Sequence, residues 1–291
     1  NIVHLCRDRL GEKPLYYSLI NQELCFSSEL KPLTNLLKGK LTLDIDNINF
    51  FINKSYFPEG VSVFKEVHKV MPGTVHSFNL NENRVVDTSV YPYWSFKDTV
   101  DNAIKNPVDN YDQAKKDLDD LLDIKVKERM ISDVPLGAFL SGGYDSSLIV
   151  ALMQKNSINK IKTFSIGFHS AVHNEAEEAK RISNHIGTDH QELYVSDKEL
   201  IDTIYRLPSI YSEPFADSSQ IPTVLLSELT KSKVTVSLSG DGGDEIFGGY
   251  GRYFLGQQVF NSLGKIPFPI RQSIKSSGLI NSSLTRNISN F

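Results

Sequence analysis

The sequence predicts an α/β protein in which a parallel sheet with helices on both faces follows a shorter, β-rich segment. After residue 111, short apolar strands alternate with amphipathic helices, which is typical of a parallel sheet. Before residue 96, the apolar segments are short and are separated by turns. We therefore expect a first domain at residues 1–95, a linker at 96–111 and a second domain at 112–291.

The first domain is expected to combine strands with a helix. The segments Leu24–Phe26 and Thr74–Phe78 have the apolar content of strands, and residues 79–83 are expected to form a turn after the second. Residues Ser28–Leu37 have a helical pattern. The stretch Lys97–Asn110 is polar and contains a proline, which indicates the linker.

The second domain shows a regular alternation of elements. Its last stretch, Leu263–Phe291, is rich in Ser and Asn and is expected to belong to an unfinished domain. Two helices are predicted from apolar positions on one face, the first at Leu118, Leu122, Val126 and Met130, and the second at Ala176, Ala179, Ile182 and Ile186 with a stop at Gly187. Three further helices are predicted at Asp145–Lys155, Lys198–Arg206 and Ile221–Thr230. The predicted strands are Ala138–Leu140, Thr163–Ile166, Glu192–Val195 and Val234–Leu238.

Composition argues against several classes of function. Of 291 residues, 40% are hydrophobic and 23% are charged, as in ordinary globular proteins. The net charge of −4 gives no electrostatic reason to expect a nucleic-acid partner. No apolar run reaches the roughly 20 residues that span a bilayer, so no membrane partner is expected. Cys6 and Cys25 lack metal-site spacing and are interpreted as buried or edge-strand thiols, reduced in the cytoplasm.

The first candidate site is a glycine-rich loop between a predicted strand and a predicted helix. Its sequence is Leu140-Ser141-Gly142-Gly143-Tyr144-Asp145-Ser146-Ser147. The glycines allow a tight turn with backbone N–H groups facing an anion, and the helix N-terminus adds partial positive charge. The serines add hydroxyl donors, and Asp145 fits an anion site if Mg²⁺ lies between it and a phosphate. Glycines needed for turn geometry alone are the alternative, which leaves the serines and Asp145 unexplained.

The second candidate site is the segment from Ser239 to Tyr250, which follows an apolar strand. It contains five glycines and three carboxylates, Asp241, Asp244 and Glu245. Neighbouring carboxylates repel one another unless they share a cation or a proton. A second Mg²⁺ contact from Asp244 would complete a clamp with Asp145. A flexible acidic loop with solvated charges is the alternative, and the preceding strand and following aromatic residues argue against it.

Together these loops resemble the paired signature of the asparagine synthetase family, whose first loop is the SGGxDSS pyrophosphate loop (PP-loop) of ATP pyrophosphatases. Lys162–Phe168 resembles the family strand that lines the adenine, Asn174–Ala179 the helix start after it, and Glu213–Ser219 the loop that faces the substrate. Arg7–Tyr17 and Phe26–Lys31 resemble the final third of the family's N-terminal glutaminase domain. The resemblance implies an adenine nucleotide alpha hydrolase-like second domain after a partial Ntn-type glutaminase remnant, with the chain cut at both ends.

The resemblance also implies a reaction, with ATP and Mg²⁺ as cofactors. A carboxylate, with aspartate the favoured acceptor, is adenylated with release of pyrophosphate and then amidated by ammonia, which the full-length enzyme takes from glutamine. Asp145 and Asp244 are the implied Mg²⁺ ligands, and Asp241 and Glu245 are candidates for general base or substrate contact. The implied ATP and pyrophosphate contacts are Leu140, Ser141, Gly142, Gly143, Asp145, Ser146, Ser147, Ile166, Phe168, Ser239 and Gly240.

Departures from the family pattern keep alternatives open. The chain has no N-terminal cysteine nucleophile and no Asn-Gly-Glu loop, and Cys6 lies too far along, which predicts no glutaminase activity for this chain. The family lysine that steadies the adenylate falls beyond Phe291. Asp241 stands where many asparagine synthetases carry Glu, whereas related amidotransferases and β-lactam-forming enzymes often carry Asp. Two alternatives therefore stay open: an amidotransferase that acts on a sugar-acid or peptide carboxylate, and a fragment that binds nucleotide without turnover. The sequence also leaves open whether the protein forms a homodimer.

Overall fold

The computed structural model describes residues 1–169 and 174–264. The chain forms two compact units. The first contains Asn1–Leu122 and Tyr194–Leu229, and the second contains the described residues of 123–193 and of 230–264. In the described part of the chain, no helix has the length and apolar character needed to cross a membrane.

Strands and helices occur throughout both units. The strands are β1 (Ile2–Cys6), β2 (Tyr16–Ile20), β3 (Glu23–Ser27), β4 (His68–Lys69), β5 (Thr74–Asn81), β6 (Arg84–Pro92), β7 (Leu136–Phe139), β8 (Lys162–Phe168), β9 (Asp189–Val195) and β10 (Val236–Leu238). The helices are α1 (Leu30–Leu36), α2 (Ile45–Lys54), α3 (Phe96–Lys105), α4 (Tyr111–Arg129), α5 (Tyr144–Lys155), α6 (Ala176–Ile186), α7 (Asp197–Ile210), α8 (Gln220–Lys231), α9 (Gly243–Phe247) and α10 (Gly251–Gly264).

The first unit contains two small antiparallel sheets. In one sheet β5 lies between β1 and β6, and in the other β2 lies between β3 and β4. Cys6 and Cys25 are free thiols on the edge strands β1 and β3, as the sequence predicts. Two apolar clusters fill this unit, one of Leu5, Val70, Phe78 and Val85 and one of Tyr16, Leu30, Leu33, Phe57, Val63 and Val67.

The second unit contains the predicted parallel sheet, with strand order β10–β7–β8–β9. β7 pairs in parallel with β10 and with β8, so these three strands end at one edge. Ala138 and Phe164 are fully buried, which agrees with a parallel sheet that is covered by helices. α6 packs against β8, and α5 contacts α6. Both glycine-rich loops follow strands of this sheet at its carboxyl edge, where open α/β sheets bind ligands.

Most predicted elements are confirmed, and the main difference is a helix that was not predicted within the segment 96–111. Helix α3 occupies most of residues 96–111, and the Ser95 side chain caps it by accepting a hydrogen bond from the Asp98 N–H. A cap of this kind offsets the low apolar content of the segment. The turn predicted at residues 79–83 is shorter, since β5 continues to Asn81 and only Glu82 and Asn83 form the left-handed turn, with φ of 48° and 62°.

Some elements lack a clear pattern in the sequence. Strands β1, β2, β4 and β6 and helices α2, α9 and α10 were not predicted. The pairing of β6 with β5 shifts register between Asn79 and Leu80 of β5. Such an irregularity disturbs the alternation of inward and outward side chains that identifies a strand in the sequence. Of the predicted unfinished domain at Leu263–Phe291, residues 265–291 lie outside the described part of the chain.

Candidate functional site

The first glycine-rich loop joins β7 to α5 in a strand–turn–helix arrangement. Leu140 is buried, and its N–H donates to the Phe164 carbonyl oxygen at 2.9 Å, which fixes the start of the loop to β8. Gly142 has a φ of 89°, a conformation that favours glycine. Gly143 is the N-cap of α5, and no side chain caps this helix end. The first N–H groups of α5 therefore remain available to an anion.

Serine hydroxyls hold the shape of this loop. The Ser141 and Ser146 hydroxyl oxygens lie 3.0 Å apart, and the Ser141 N–H donates to the Ser146 hydroxyl at 3.2 Å. The Ser147 hydroxyl donates to the Gly143 carbonyl oxygen at 2.6 Å. The three predicted serines thus lie together around the turn. Hydroxyls can change partners at low cost, so the same groups can donate to a bound phosphate.

Gly142 also fixes the loop against helix α6. A methyl group added at Gly142 would lie 3.1 Å from both the Ala179 backbone nitrogen and the Glu178 Cβ. Ala179 is fully buried, so this neighbour has little room to move. The glycine at this position is therefore favoured by close packing as well as by its backbone angle.

The second loop is in direct contact with the first. A methyl added at Gly240 would lie 2.5 Å from the Ser146 backbone nitrogen and 2.7 Å from the Asp145 carbonyl carbon, so the Gly240 backbone rests on the start of α5. A methyl added at Gly243 would collide with the Asp145 carboxylate. The structure therefore places the Asp145 carboxylate next to Gly243, in the loop that also carries Asp244.

The carboxylates of the second loop differ in their surroundings. Asp244 is half-buried, and its carboxylate packs on the Gly249 backbone. Asp241 is exposed and accepts a hydrogen bond from the Ser239 hydroxyl at 3.0 Å. Glu245 is exposed and accepts a hydrogen bond from the Tyr250 hydroxyl at 2.7 Å. That hydrogen bond lowers the pKa of Glu245 and raises the pKa of Tyr250 to about 12.

The residues present are compatible with Mg²⁺ bound together with a phosphate. Within residues 1–169 and 174–264, no group of three or more His, Cys, Asp or Glu side chains forms a metal cluster. Mg²⁺ typically takes only one or two carboxylates and completes its shell with water and phosphate oxygens. Asp145 is half-buried and has no ion-pair partner among the described residues, so a cation there would offset its charge.

Ile166 and Phe168 lie beyond the end of β7. Phe164 is the last β8 residue paired with β7, opposite Phe139, so the following residues of β8 continue alongside the first loop. Ile166 and Phe168 are half-buried and share one face of β8, because side chains two residues apart in a strand point the same way. This is a suitable position for an apolar surface beside a nucleotide.

A polar network on the other face of β8 was not predicted. The two ring nitrogens of His190 lie 2.9 Å from the Thr163 hydroxyl and 3.1 Å from the Ser165 hydroxyl. Thr188 links Thr163 to Ser183 of α6 through hydroxyl contacts of 2.9 and 2.7 Å. The network ties the end of α6 to β8 and β9. Its members are dispersed in the sequence and show no motif, so only the fold could identify it.

The network predicts a loss of stability in acid. Burial lowers the pKa of His190 below its ordinary value of 6.5, because the charged ring is poorly solvated. The unfolded chain therefore binds a proton more readily, and stability should fall as the pH falls below about 6.5. We expect His190 to contribute to the loss of stability between pH 7.5 and 5.5, measured by urea denaturation. His190→Gln should reduce the pH dependence of the free energy of unfolding, whereas His185→Gln, which changes an exposed histidine, should not. Equal pH dependence in His190→Gln and the wild type would contradict the role of His190.

The fold places the chain among α/β proteins with a parallel sheet, a class in which ligands bind at the carboxyl edge of the sheet. Residues 117–289, more than half of the chain, match the family model of asparagine synthase, and residues 1–94 match that of a glutamine amidotransferase domain. The chain therefore belongs to the asparagine synthase family.

Curated relatives agree with this membership. A protein of Methanocaldococcus jannaschii named putative asparagine synthetase [glutamine-hydrolyzing] 2 is 35% identical over 269 residues, which are 91% of this chain and 50% of that protein. Asparagine synthetase [glutamine-hydrolyzing] 1 of Bacillus subtilis is 32% identical over 254 residues, which are 87% of this chain and 38% of that protein. The chain thus spans at most about half the length of these relatives.

Among solved structures, an NH3-dependent NAD synthetase from Campylobacter jejuni is similar at 14% identity with a TM-score of 0.35, over 59% of this chain and 87% of that one. This likeness is too low to support a statement about fold or function.

Proposed function

We propose that this chain carries the ATP-dependent synthetase portion of an amide-forming ligase, acting in the cytoplasm. The observation that carries the proposal is the contact between the two loops, in which Gly240 rests on the backbone of Asp145 and Ser146. This contact joins an uncapped helix N-terminus, a cluster of hydroxyls and the half-buried Asp145 carboxylate to the loop that carries Asp244. Such a set suits a triphosphate with its cation. Membership of the asparagine synthase family supports the same proposal.

The chain's own groups would act first on the phosphates. The backbone N–H groups at the start of α5 and the hydroxyls of Ser141, Ser146 and Ser147 would hold the pyrophosphate, while Ile166 and Phe168 would contact the adenine. Asp145 and Asp244 are the residues that would hold Mg²⁺, which supplies positive charge to the departing pyrophosphate. We infer that loop 213–219 contacts the acceptor, in line with its resemblance to the substrate-facing loop of the family.

The proposed reaction has two steps. An oxygen of the acceptor carboxylate attacks the α-phosphorus, the bond to the β-phosphate breaks, and pyrophosphate leaves. Ammonia then attacks the acyl carbon, AMP leaves with the former carboxylate oxygen, and the nitrogen loses a proton. Asp241 is the better candidate to take that proton, since the Glu245 carboxylate already accepts a hydrogen bond from the Tyr250 hydroxyl, whereas the Asp241 carboxylate is exposed beside Ser239.

Aspartate is the proposed acceptor, and the names of the relatives support this choice. Asp241 favours a second candidate, an amidotransferase of the same family that acts on a sugar-acid or peptide carboxylate. The two are separated by assaying ATP-dependent pyrophosphate release in the full-length gene product with ammonia and a panel of carboxylates. Release with aspartate alone supports the first function, and release with a uronic acid or a peptide carboxylate but not aspartate supports the second. Release with none of them contradicts both.

The Asp145→Asn variant tests the nucleotide site directly. Removing one Mg²⁺ ligand should weaken binding of ATP with Mg²⁺ by at least tenfold in calorimetry. ATP binding measured in EDTA should change much less, because the carboxylate then has no cation to bind. Unchanged affinity in the presence of Mg²⁺ would remove Asp145 from the metal site.

A further inference from the structure

A mostly buried ion pair joins two parts of the first unit that are distant in the sequence. Lys69 lies at the end of β4, and its Nζ is 2.8 Å from an oxygen of Glu213. Their side chains are only 14% and 11% exposed. Glu213 opens the loop 213–219, so this pair fixes the start of that loop.

Glu213 has two further partners in the same part of the chain. The Tyr16 hydroxyl donates to the oxygen that Lys69 contacts, at 3.3 Å, and the Val63 N–H donates to the other oxygen at 3.0 Å. Lys69 itself lies 5.8 Å from the centre of the Tyr16 ring and 5.5 Å from that of Phe57. The Glu213 carboxylate is therefore held in one orientation by three donors, and the Lys69 ammonium is confined between two rings.

The segment that leads into Glu213 is anchored in the same way. The Lys31 ammonium donates to the Ser209 carbonyl oxygen at 3.1 Å, and the Ser212 hydroxyl donates to a Glu29 carboxylate oxygen at 3.4 Å. The anchoring residues, from Tyr16 to Lys69, all lie within residues 1–94, which match the glutamine amidotransferase model. The anchored residues 209–213 lie within the asparagine synthase match.

The anchored loop forms part of the wall of a cavity. Glu213, Pro214 and Phe215 line a space of about 470 Å³ together with Phe51 of α2 and residues of α7. This volume lies in the range of pockets that bind small molecules, on the order of 300–1,000 Å³. The orientation of Glu213 therefore determines both the path of the loop and one side of the cavity.

We propose that Lys69 is a positioning residue: by fixing Glu213 it sets the path of loop 213–219, so that the amidotransferase-like segment determines how the synthetase-like segment holds its acceptor. This inference rests on the proposed function, in which loop 213–219 contacts the acceptor. A stabilising role alone explains the pair poorly, since a buried ion pair often contributes no more stability than packed apolar side chains. The ion pair instead selects one orientation of Glu213, which apolar contacts would not do.

The test compares Lys69→Met with Lys65→Met, which changes an exposed lysine of the same segment. In the full-length gene product, supplied with ammonia so that glutamine hydrolysis is not needed, Lys69→Met should raise the acceptor KM at least tenfold. The KM for ATP should stay within twofold. Lys69→Arg should leave the acceptor KM within about threefold of the wild type, because arginine retains the positive charge and a hydrogen-bond donor. An unchanged acceptor KM in Lys69→Met, or equal rises for acceptor and ATP, would overturn the proposal.

Two further measurements cover a failure of the variant or of the assay. If Lys69→Met does not fold, Tyr16→Phe removes only the hydroxyl bonded to Glu213 and should raise the acceptor KM about threefold; no rise would overturn the proposal. If the wild type itself releases no pyrophosphate with any acceptor, the proposed function is wrong. The anchor is then tested by hydrogen exchange, which should be faster over residues 209–219 in Lys69→Met, or in Tyr16→Phe, than in Lys65→Met. Equal exchange would overturn the anchor.

Discussion

Replacing Gly240 by alanine is expected to reduce the affinity for ATP with Mg²⁺ by at least 100-fold. The new methyl would lie 2.5 Å from the Ser146 backbone nitrogen and 2.7 Å from the Asp145 carbonyl carbon. Both neighbours are backbone atoms at the start of a helix, so neither can rotate away as a flexible side chain would. The two loops must move apart, which separates Asp145 from the loop that carries Asp244 and exposes the phosphate site to water.

Gly251→Ala is the matched control for this prediction. Gly251 begins α10, and a methyl added there meets no atom within 4 Å. Alanine also favours a helix, so this variant should bind ATP as the wild type does. Both variants are measured by calorimetry, with far-ultraviolet circular dichroism to verify that the fold is retained. If Gly240→Ala keeps the fold and binds within threefold of the wild type, the contact between the loops is not needed for binding.

The sequence predicts the parts of the site that lie within one short segment, but not the contacts between residues that are distant in the chain. Loop 140–147 could be predicted because strand, glycines and helix follow one another within a few residues. The ion pair and hydrogen bond on Glu213 could not be predicted, because Tyr16 and Lys69 lie 197 (213 − 16) and 144 (213 − 69) positions before it in the chain. Only the packing of β2 and β4 brings these residues to Glu213, and no pattern in the sequence encodes that distance.

The errors in predicting the fold have similar causes. Helix α3 has a polar composition, and Phe96, the first residue of α3, is 64% exposed, so apolar burial does not identify the helix. Its cap at Ser95 is a local signal that was available but was outweighed by the polar composition and by the proline at 107. The parallel sheet was easier to predict, because buried strands with residues such as Phe164 are apolar throughout.

Asp241 and Asp244 are expected to have different roles, and the structure changes the physical reason. The sequence suggests that Ile246 and Phe247 anchor Asp244, but these side chains are 69% and 59% exposed and cannot do so. Gly249 holds Asp244 instead: its N–H donates to the Asp244 carbonyl oxygen at 3.0 Å, and its backbone lies against the carboxylate. A carboxylate with a fixed direction suits Mg²⁺, which demands near-ideal octahedral geometry.

Asp241 has the surroundings of a mobile group. It is exposed, it precedes Gly242 in a left-handed conformation with φ of 90°, and its only hydrogen bonds within the described residues are with Ser239, two positions away. A carboxylate that can move into and out of contact with the acyl carbon suits proton transfer from incoming ammonia. The two residues should therefore act at different steps.

It follows that Asp244→Asn should lower acceptor-dependent pyrophosphate release at least 100-fold, because the metal ligand is lost before any bond changes. Asp241→Asn should keep pyrophosphate release within about tenfold of the wild type while amide formation falls about 100-fold, the lower end of the range for removing a general base. Pyrophosphate and amide are followed separately in the full-length gene product, with Asp202→Asn on the exposed side of α7 as the control. Equal losses of pyrophosphate release and amide formation in both variants would mean that Asp241 and Asp244 act as one metal-binding unit.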